Sequence, residues 1–178
     1  MRKIKLQMAF STEGWDMAVT DFCIENLKNV DSILLGRVTA EGFIPYWADV
    51  ANNPNPGDVN DPMGKPLTDI PKVVFSNTMK ASRWDNATIL SGNIAESVKG
   101  LKEGKGKDII VYGSHSFVSS LMDADLIDEI YFILNPLIPV AIDGEQPILK
   151  KVKDNSLVKL QSCNSFDCGL VLLHYIHI

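Results

Sequence analysis

Three apolar runs in this sequence end in the same kind of chemistry. Ile33-Leu34-Leu35 leads into Gly36, Arg37 and Thr39. Val73-Val74-Phe75 leads into Ser76, Asn77 and Thr78. Ile109-Ile110-Val111-Tyr112 leads into Gly113, Ser114, His115 and Ser116. Glycine lets a ligand approach the backbone, hydroxyls supply short donors, and arginine adds a planar, permanently charged fork suited to phosphate. In an open α/β sheet, ligands gather at the carboxyl ends of strands, where the free N–H groups of the next helix favour an anion. One ligand with several phosphates accounts for all three ends together. Each feature alone has a plainer explanation. Ser114 or Ser116 can be an ordinary helix N-cap, Gly36 and Gly113 can serve as turns, and Arg37 can pair with Glu41 four residues on.

The elements that must carry these ends follow from periodicity. KIKLQMAF is a first strand. Val19, Phe22, Cys23, Leu27 and Val30 recur at helical spacing over 19–30, with Thr20 or Asp21 as cap. SILLG is a buried strand. VTAEGFIPYW reads as a helical turn broken by Gly42 and Pro45, and the proline-rich stretch 48–71 as a long exposed loop. KVVFS and TILSG are strands, and NIAESVKGLKEG is an amphipathic helix with Ile94, Val98 and Leu101 inward. DIIVYG is a strand and SHSFVSSLMDADL a helix, followed by a long strand, DEIYFILNPLIP, and a loop and strand edge, DGEQPILKKV. SLVKLQSCNSFDCGLVLLHYIHI closes the chain as a two-stranded hairpin. Strands alternating with helices predict an α/β fold over residues 1–178 as one domain: a mixed, mostly parallel central sheet, helices on both faces, and an antiparallel C-terminal hairpin.

The totals narrow the function. A net charge of −5 disfavours nucleic acid, whose phosphates need a basic face. The apolar runs are far short of the roughly 20 residues that span a bilayer, and the start, MRKIKLQMAF, lacks the apolar length and cleavage site of a signal peptide. The expectation is a cytoplasmic protein. Three cysteines fit a reducing compartment; a Cys163–Cys168 bridge across the hairpin turn is a disfavoured alternative. An odd cysteine count with no histidine pair nearby argues against zinc.

GRVTAEGFIPYW, FSNT, YGSHSFVSSLMDADLIDEI and the closing FDCGLVLLHYIHI together resemble the dihydrofolate reductase superfamily. The closer branch is that of stand-alone proteins similar to the reductase domain of bifunctional riboflavin-biosynthesis enzymes. The resemblance spans essentially the whole chain. No deaminase signature of the H-x-E and P-C-x-x-C type is present.

The resemblance implies NADPH as cofactor. It sets Gly36, Arg37 and Thr39 against the cofactor phosphates, and Ser76, Asn77 and Thr78 near the adenosine end and its 2′-phosphate. Gly113, Ser114 and Phe117 would border the pyrophosphate and nicotinamide. The implied reaction is hydride transfer to a small nitrogen heterocycle, of dihydrofolate or 5-amino-6-(5-phosphoribosylamino)uracil type. Asp21 is the candidate catalytic carboxylate on the first helix, with a helix-cap role as the alternative; Glu13 and Asp16 are further candidates. STEGWDMAVT is a short lid in which Trp15 can supply cover. Phe43, Tyr46 and Trp47 can wall a flat-ring pocket or pack in the core. Lys65 and Lys72 can meet a substrate phosphate or be solvated loop lysines. His174 and His177 are expected on an outward or interface face, and the branch implies a homodimer. Two other readings stay open: an NADP-binding protein of this fold without efficient catalysis, and a dimeric ligand-binding module.

Overall fold

The apolar runs become strands because both of their faces are covered. Ile33, Leu34 and Leu35 have no exposed surface, nor have Ile109, Ile110 and Val111. Continuous apolar runs of this kind are what a parallel sheet between two helical layers requires. The computed structural model describes residues 1–9, 11–136 and 158–178. Its elements are β1 (Ile4–Ala9), α1 (Met17–Leu27), β2 (Val30–Gly36), α2 (Arg37–Asn52), α3 (Asp61–Asp69), β3 (Lys72–Phe75) and β4 (Ala87–Leu90). They continue with α4 (Ile94–Glu103), β5 (Asp108–Val111), α5 (His115–Asp123), β6 (Glu129–Leu134), β7 (Val158–Ser165) and β8 (Val171–His177).

The eight strands form one sheet in the order β4-β3-β2-β5-β1-β6-β8-β7. From β4 to β6 every neighbouring pair is parallel. β8 then runs antiparallel to both β6 and β7. The mixed sheet with its antiparallel hairpin is as expected, but the chain's last strand is internal, and among the described residues β7 is the edge. Side chains alternate across the sheet. Ile33, Leu35 and Ile110 meet Val19, Cys23 and Leu27 of α1, Ala40 and Trp47 of α2, and Met63 and Leu67 of α3. Leu34, Ile109 and Val111 meet Val98 of α4 and Phe117, Val118 and Leu121 of α5. Helices α1–α3 therefore cover one face and α4–α5 the other.

Two expectations are corrected on the first face. The segment from Arg37 is not a broken turn but a helix of 16 residues that continues through Gly42 and Pro45. The proline-rich stretch is not all loop: its first residues finish α2, and α3 forms with Pro62 in its first turn and Pro66 inside it. An interior proline costs a helix about 3 kcal/mol. Burial of Trp47, Met63 and Leu67 offsets this, at about 1.5–3 kcal/mol for each large apolar side chain.

The α1 cap is also corrected: Asp16, not Thr20 or Asp21, holds the N-terminus, accepting from the Val19 N–H at 3.1 Å. Thr20 is buried and donates to the Val59 carbonyl at 2.8 Å. Lys72 is not a solvated lysine; it is buried, and its ammonium donates to the Thr68 carbonyl. Burial lowers its pKa to about 8, with Asp69 opposing. His174 and His177 do not share an outward face. His174 stacks on Tyr131 with ring centroids 4.2 Å apart, whereas His177 pairs with Asp125 at 3.0 Å. Cys163 and Cys168 are free thiols. The stretch DGEQPILKKV, Phe10 and the far end of DEIYFILNPLIP lie outside the described residues.

α2 and α3 touch at Gly64, where an added Cβ would lie 2.8 Å from the Val50 side chain and 2.9 Å from the Ala51 backbone nitrogen. Alanine in place of glycine normally gains a helix about 1 kcal/mol, but overpacking against backbone costs about 1–3 kcal/mol. We expect Gly64→Ala to lower stability, by up to about 2 kcal/mol on that balance, read as a lower urea midpoint at unchanged m-value.

Candidate functional site

β2 and β5 are neighbours, paired Ile33↔Ile110 and Leu34↔Val111. The helices that follow them leave toward opposite faces of the sheet: α2 joins the α1–α3 layer and α5 the α4–α5 layer. A pair of adjacent strands whose connections diverge in this way opens a crevice at their carboxyl ends. Both helices start at that crevice without a side-chain cap. Gly36 at the head of α2 has no side chain, and Ser114 at the head of α5 makes no capping hydrogen bond. Its hydroxyl lies instead 3.4 Å from that of Ser116. Two sets of orphan N–H groups therefore remain for a ligand.

On the α4–α5 side lies a cleft of about 280 Å³, lined by Gly36, Arg37, Ser76, Asn77, Ser114 and Phe117, with Ser91 and Gly92 from the end of β4. Arg37 is the only charged side chain among the described residues lining it. Its guanidinium is partly exposed and bonds Glu41 at 2.9 Å, as the spacing suggested; Arg83 approaches the same carboxylate at 3.5 Å. Ser76 is buried, and its hydroxyl accepts from the N–H groups of Thr78 and Met79 at 3.2 and 3.0 Å, so it shapes the turn. Asn77 ties that turn to the next by accepting from the Gly92 N–H at 2.9 Å. A Cβ built on Gly36 would sit 3.5 Å from the Phe117 side chain and 3.6 Å from the Ser114 hydroxyl. It would occupy the cradle without displacing the protein.

On the opposite side lies a second chamber of about 420 Å³. Phe43 and Trp47 wall it from α2, Met63 and Leu67 from α3, Trp15 from the segment before α1, and Tyr112 from the end of β5. Phe43 stacks on Tyr112 at 5.2 Å and meets Trp47 edge-on at 6.0 Å. Burial pushes the Tyr112 phenol well above its ordinary pKa, with Cys23 adding to the rise. The polar floor comes from Gln7 of β1. It is buried; its amide oxygen accepts from Asn26 at 2.9 Å, and its amide nitrogen donates to the Cys23 sulfur at 3.3 Å. Ser114 lines both the cleft and the chamber.

The three strand ends singled out in the sequence thus meet at one rim. Gly36, Arg37, Ser76, Asn77, Ser114 and Phe117 come together in the cleft. Thr39 and Gly113 line the chamber instead, and Thr78 supports the Ser76 turn. Asp21 is exposed on α1 and lines neither space. Tyr46 is exposed, and Lys65 pairs with Asp69 at 2.7 Å. Gln7, Met63, Leu67, Ser91 and Gly92 were not foreseen. For Gln7 the available signal was a polar residue inside an apolar strand.

This strand order, with a cleft and an aromatic chamber meeting at the β2–β5 crevice, is that of a dihydrofolate reductase-like fold. The chain belongs to the RibD C-terminal domain family, whose model matches residues 7–172. It is 30% identical over 190 residues to YyaP of Bacillus subtilis (strain 168), an uncharacterized protein, covering 98% of this chain and 94% of that one. Its fold is similar to that of dihydrofolate reductase from Enterococcus faecalis complexed with NADP(H) and RAB-propyl, with TM-score 0.57 and 14% identity over 98% and 96% of the two chains. It is also similar to a diaminohydroxyphosphoribosylaminopyrimidine deaminase/5-amino-6-(5-phosphoribosylamino)uracil reductase from Thermotoga maritima. There the TM-score is 0.59 and identity 15%, over 99% of this chain and 57% of the other.

Burial pushes the Cys23 thiol beneath Gln7 from 9.0 up to about 12, with the Gln7 hydrogen bond pulling the other way. A thiol whose pKa is raised by folding supports the fold fully below pH 9; that support is lost as pH rises toward 12. Relative to Cys23→Ala, the wild type should therefore lose stability progressively above pH 9, read from urea unfolding at pH 7.5, 9 and 10.5.

Proposed function

We propose that this protein is an NADPH-dependent reductase that transfers a hydride to a small flat-ring acceptor, a nitrogen heterocycle being the family-type candidate. The observation that carries this reading is the pair of uncapped helix N-termini at one crevice. Two such termini suit a pyrophosphate, since each favours an anion through its free N–H groups and its dipole. The cleft fits the rest of the cofactor: a glycine cradle that a Cβ would fill, hydroxyls from Ser91, Ser114 and Ser116, and the Arg37 fork for a phosphate. Phe117 and Ser114 would guide the nicotinamide end toward the chamber, where Thr39 and Gly113 stand. When bound, NADPH supplies the hydride; the chain's own residues bind, orient and exclude water.

The described lining of the chamber contains no carboxylate. That favours one second reading: an NADP-binding protein of this fold without folate-type catalysis. NADPH oxidation followed at 340 nm with dihydrofolate and with the phosphoribosylaminouracil separates the two, because turnover of either supports the reductase.

Gly36→Ala should fold normally, given ordinary contact distances at its Cβ, yet weaken NADPH by about tenfold or more through loss of the close approach. Arg37→Ala should weaken NADPH more than NADH if the guanidinium takes the 2′-phosphate. Calorimetric titration of both nucleotides checks each variant. Equal affinity of Gly36→Ala and wild type would count against the cleft as the nucleotide site.

We further propose a homodimer through the sheet edge. Among the described residues β7 has no strand on its outer side and exposes Val158 and Leu160, and an unpaired edge calls for cover. Light scattering should give twice the monomer mass for wild type and the monomer mass for Leu160→Glu.

A further inference from the structure

The geometry points to an acceptor that is uncharged and unphosphorylated: a planar carbonyl compound whose amide edge is read by Gln7. The described lining of the chamber carries no aspartate, glutamate, lysine or arginine; His115, exposed at the mouth, and the Tyr112 phenol are its titratable groups. A pteridine ring that is to be protonated needs a buried carboxylate partner, and a ribose phosphate needs cations. Burying either charge without its partner costs several kcal/mol. Asp21, Lys65 and Lys72 do not supply those charges: Asp21 is exposed outside the chamber, Lys65 is paired on the surface, and Lys72 is turned into the Thr68 carbonyl.

What the chamber offers instead is aromatic surface and uncharged polar groups, Gln7 and Trp15 among them. Phe43, Tyr112, Trp15 and Trp47 give a flat ring faces to pack on. Gln7 has its amide oriented by Asn26 and Cys23. A glutamine amide has two N–H donors and two acceptor lone pairs. One of each is taken, so one N–H and one lone pair are left, which match a neighbouring C=O and N–H on a ligand. Trp15 lines the same chamber, and its indole N–H is buried with no acceptor among the described residues. A ligand carbonyl reaching that buried N–H would satisfy it. A buried donor left unmet costs about 1–3 kcal/mol, so its pairing favours ligands that carry that oxygen.

The hydride step rests on the reductase reading above. The acceptor's carbonyl carbon takes the hydride that NADPH gives up. Its oxygen takes a proton from water entering at the mouth, so that an alcohol and NADP⁺ result.

Isatin is the probe: it is planar and uncharged, with a lactam edge for Gln7 and a ketone as acceptor. Calorimetry on the NADPH-free protein should show isatin binding about tenfold or more tighter than dihydrofolate or the phosphorylated ribosylaminouracil, the discrimination expected when a site is built for one polarity. Gln7→Leu and Trp15→Phe should each weaken isatin about fivefold or more by removing a paired buried group, and weaken NADPH less than isatin. Trp15→Phe keeps the test decisive if Gln7→Leu fails to fold. With NADPH added, isatin should be consumed with matching loss of absorbance at 340 nm. Absence of isatin binding, tighter binding of either charged compound, or unchanged affinity in Trp15→Phe would overturn the inference. NADPH failing to bind while isatin binds would overturn the reductase reading alone.

Discussion

The rim of this molecule depends on one strand pairing. β2 lies parallel to β5 with Leu34 opposite Val111, and two residues further along each strand come Gly36 and Gly113. A slip of one residue would send every side chain of β2 to the other face. It would drive Leu34 out of the α4–α5 cluster and Ile33 and Leu35 out of the α1–α3 cluster, all of them fully buried. Because both faces are apolar, the register is enforced twice. The glycines, the two helix starts and Ser114 inherit their positions from that core. The site is thus specified by residues that never touch it.

The same pairing divides the chemistry. On one side of the sheet, hydroxyls, an arginine and open N–H groups edge a cleft that Phe75, Leu90, Ile94 and Phe117 also line. On the other, four aromatic residues and Met63 and Leu67 from α3 enclose a chamber whose described lining carries no aspartate, glutamate, lysine or arginine. A charged ligand is favoured in the first and penalised in the second. A molecule with an anionic end and an aromatic end would therefore find only one orientation, with Ser114 at the passage between the two environments. The low polarity of the chamber also strengthens whatever hydrogen bonds Gln7 and Trp15 make there.

Much of this was legible because strands buried on both faces announce themselves as apolar runs, and because the residues after such runs lie at the carboxyl rim of the sheet. The family resemblance and the sheet type followed from the same elements. What escaped was decided by tertiary packing. Gly42, Pro45, Pro62 and Pro66 are local breakers, yet α2 and α3 form around them, because Trp47, Met63 and Leu67 gain more from burial than the helices lose. The outward position of Asp21 follows from the pattern itself. Val19, Cys23 and Leu27 face inward at four-residue spacing, so position 21, 200° around from Val19, must face out. Thr39 lies two residues past Arg37 and lines the other side of the crevice, a separation that a linear motif cannot express. Gln7 makes sense only beside Asn26 and Cys23, which are distant in sequence.

The antiparallel hairpin bears on the chamber too, although its strands lie at the far end of the sheet. Asn135, just past β6, donates to the carbonyl of Glu13 at 2.9 Å and thereby holds the segment that carries Trp15. Asp16 caps α1 immediately after that tryptophan; its carboxyl is held below the usual range by the Val19 N–H and, to a lesser degree, by Cys168 of the hairpin turn. Phe166 and Cys168 pack against the same apolar cluster as Trp15. The short segment between β1 and α1 is therefore tied at Glu13 and at Asp16, to β6 and to the hairpin. A wall fixed at two points holds the Trp15 ring in a constant position. On this view the hairpin gives this wall preorganisation in place of movement.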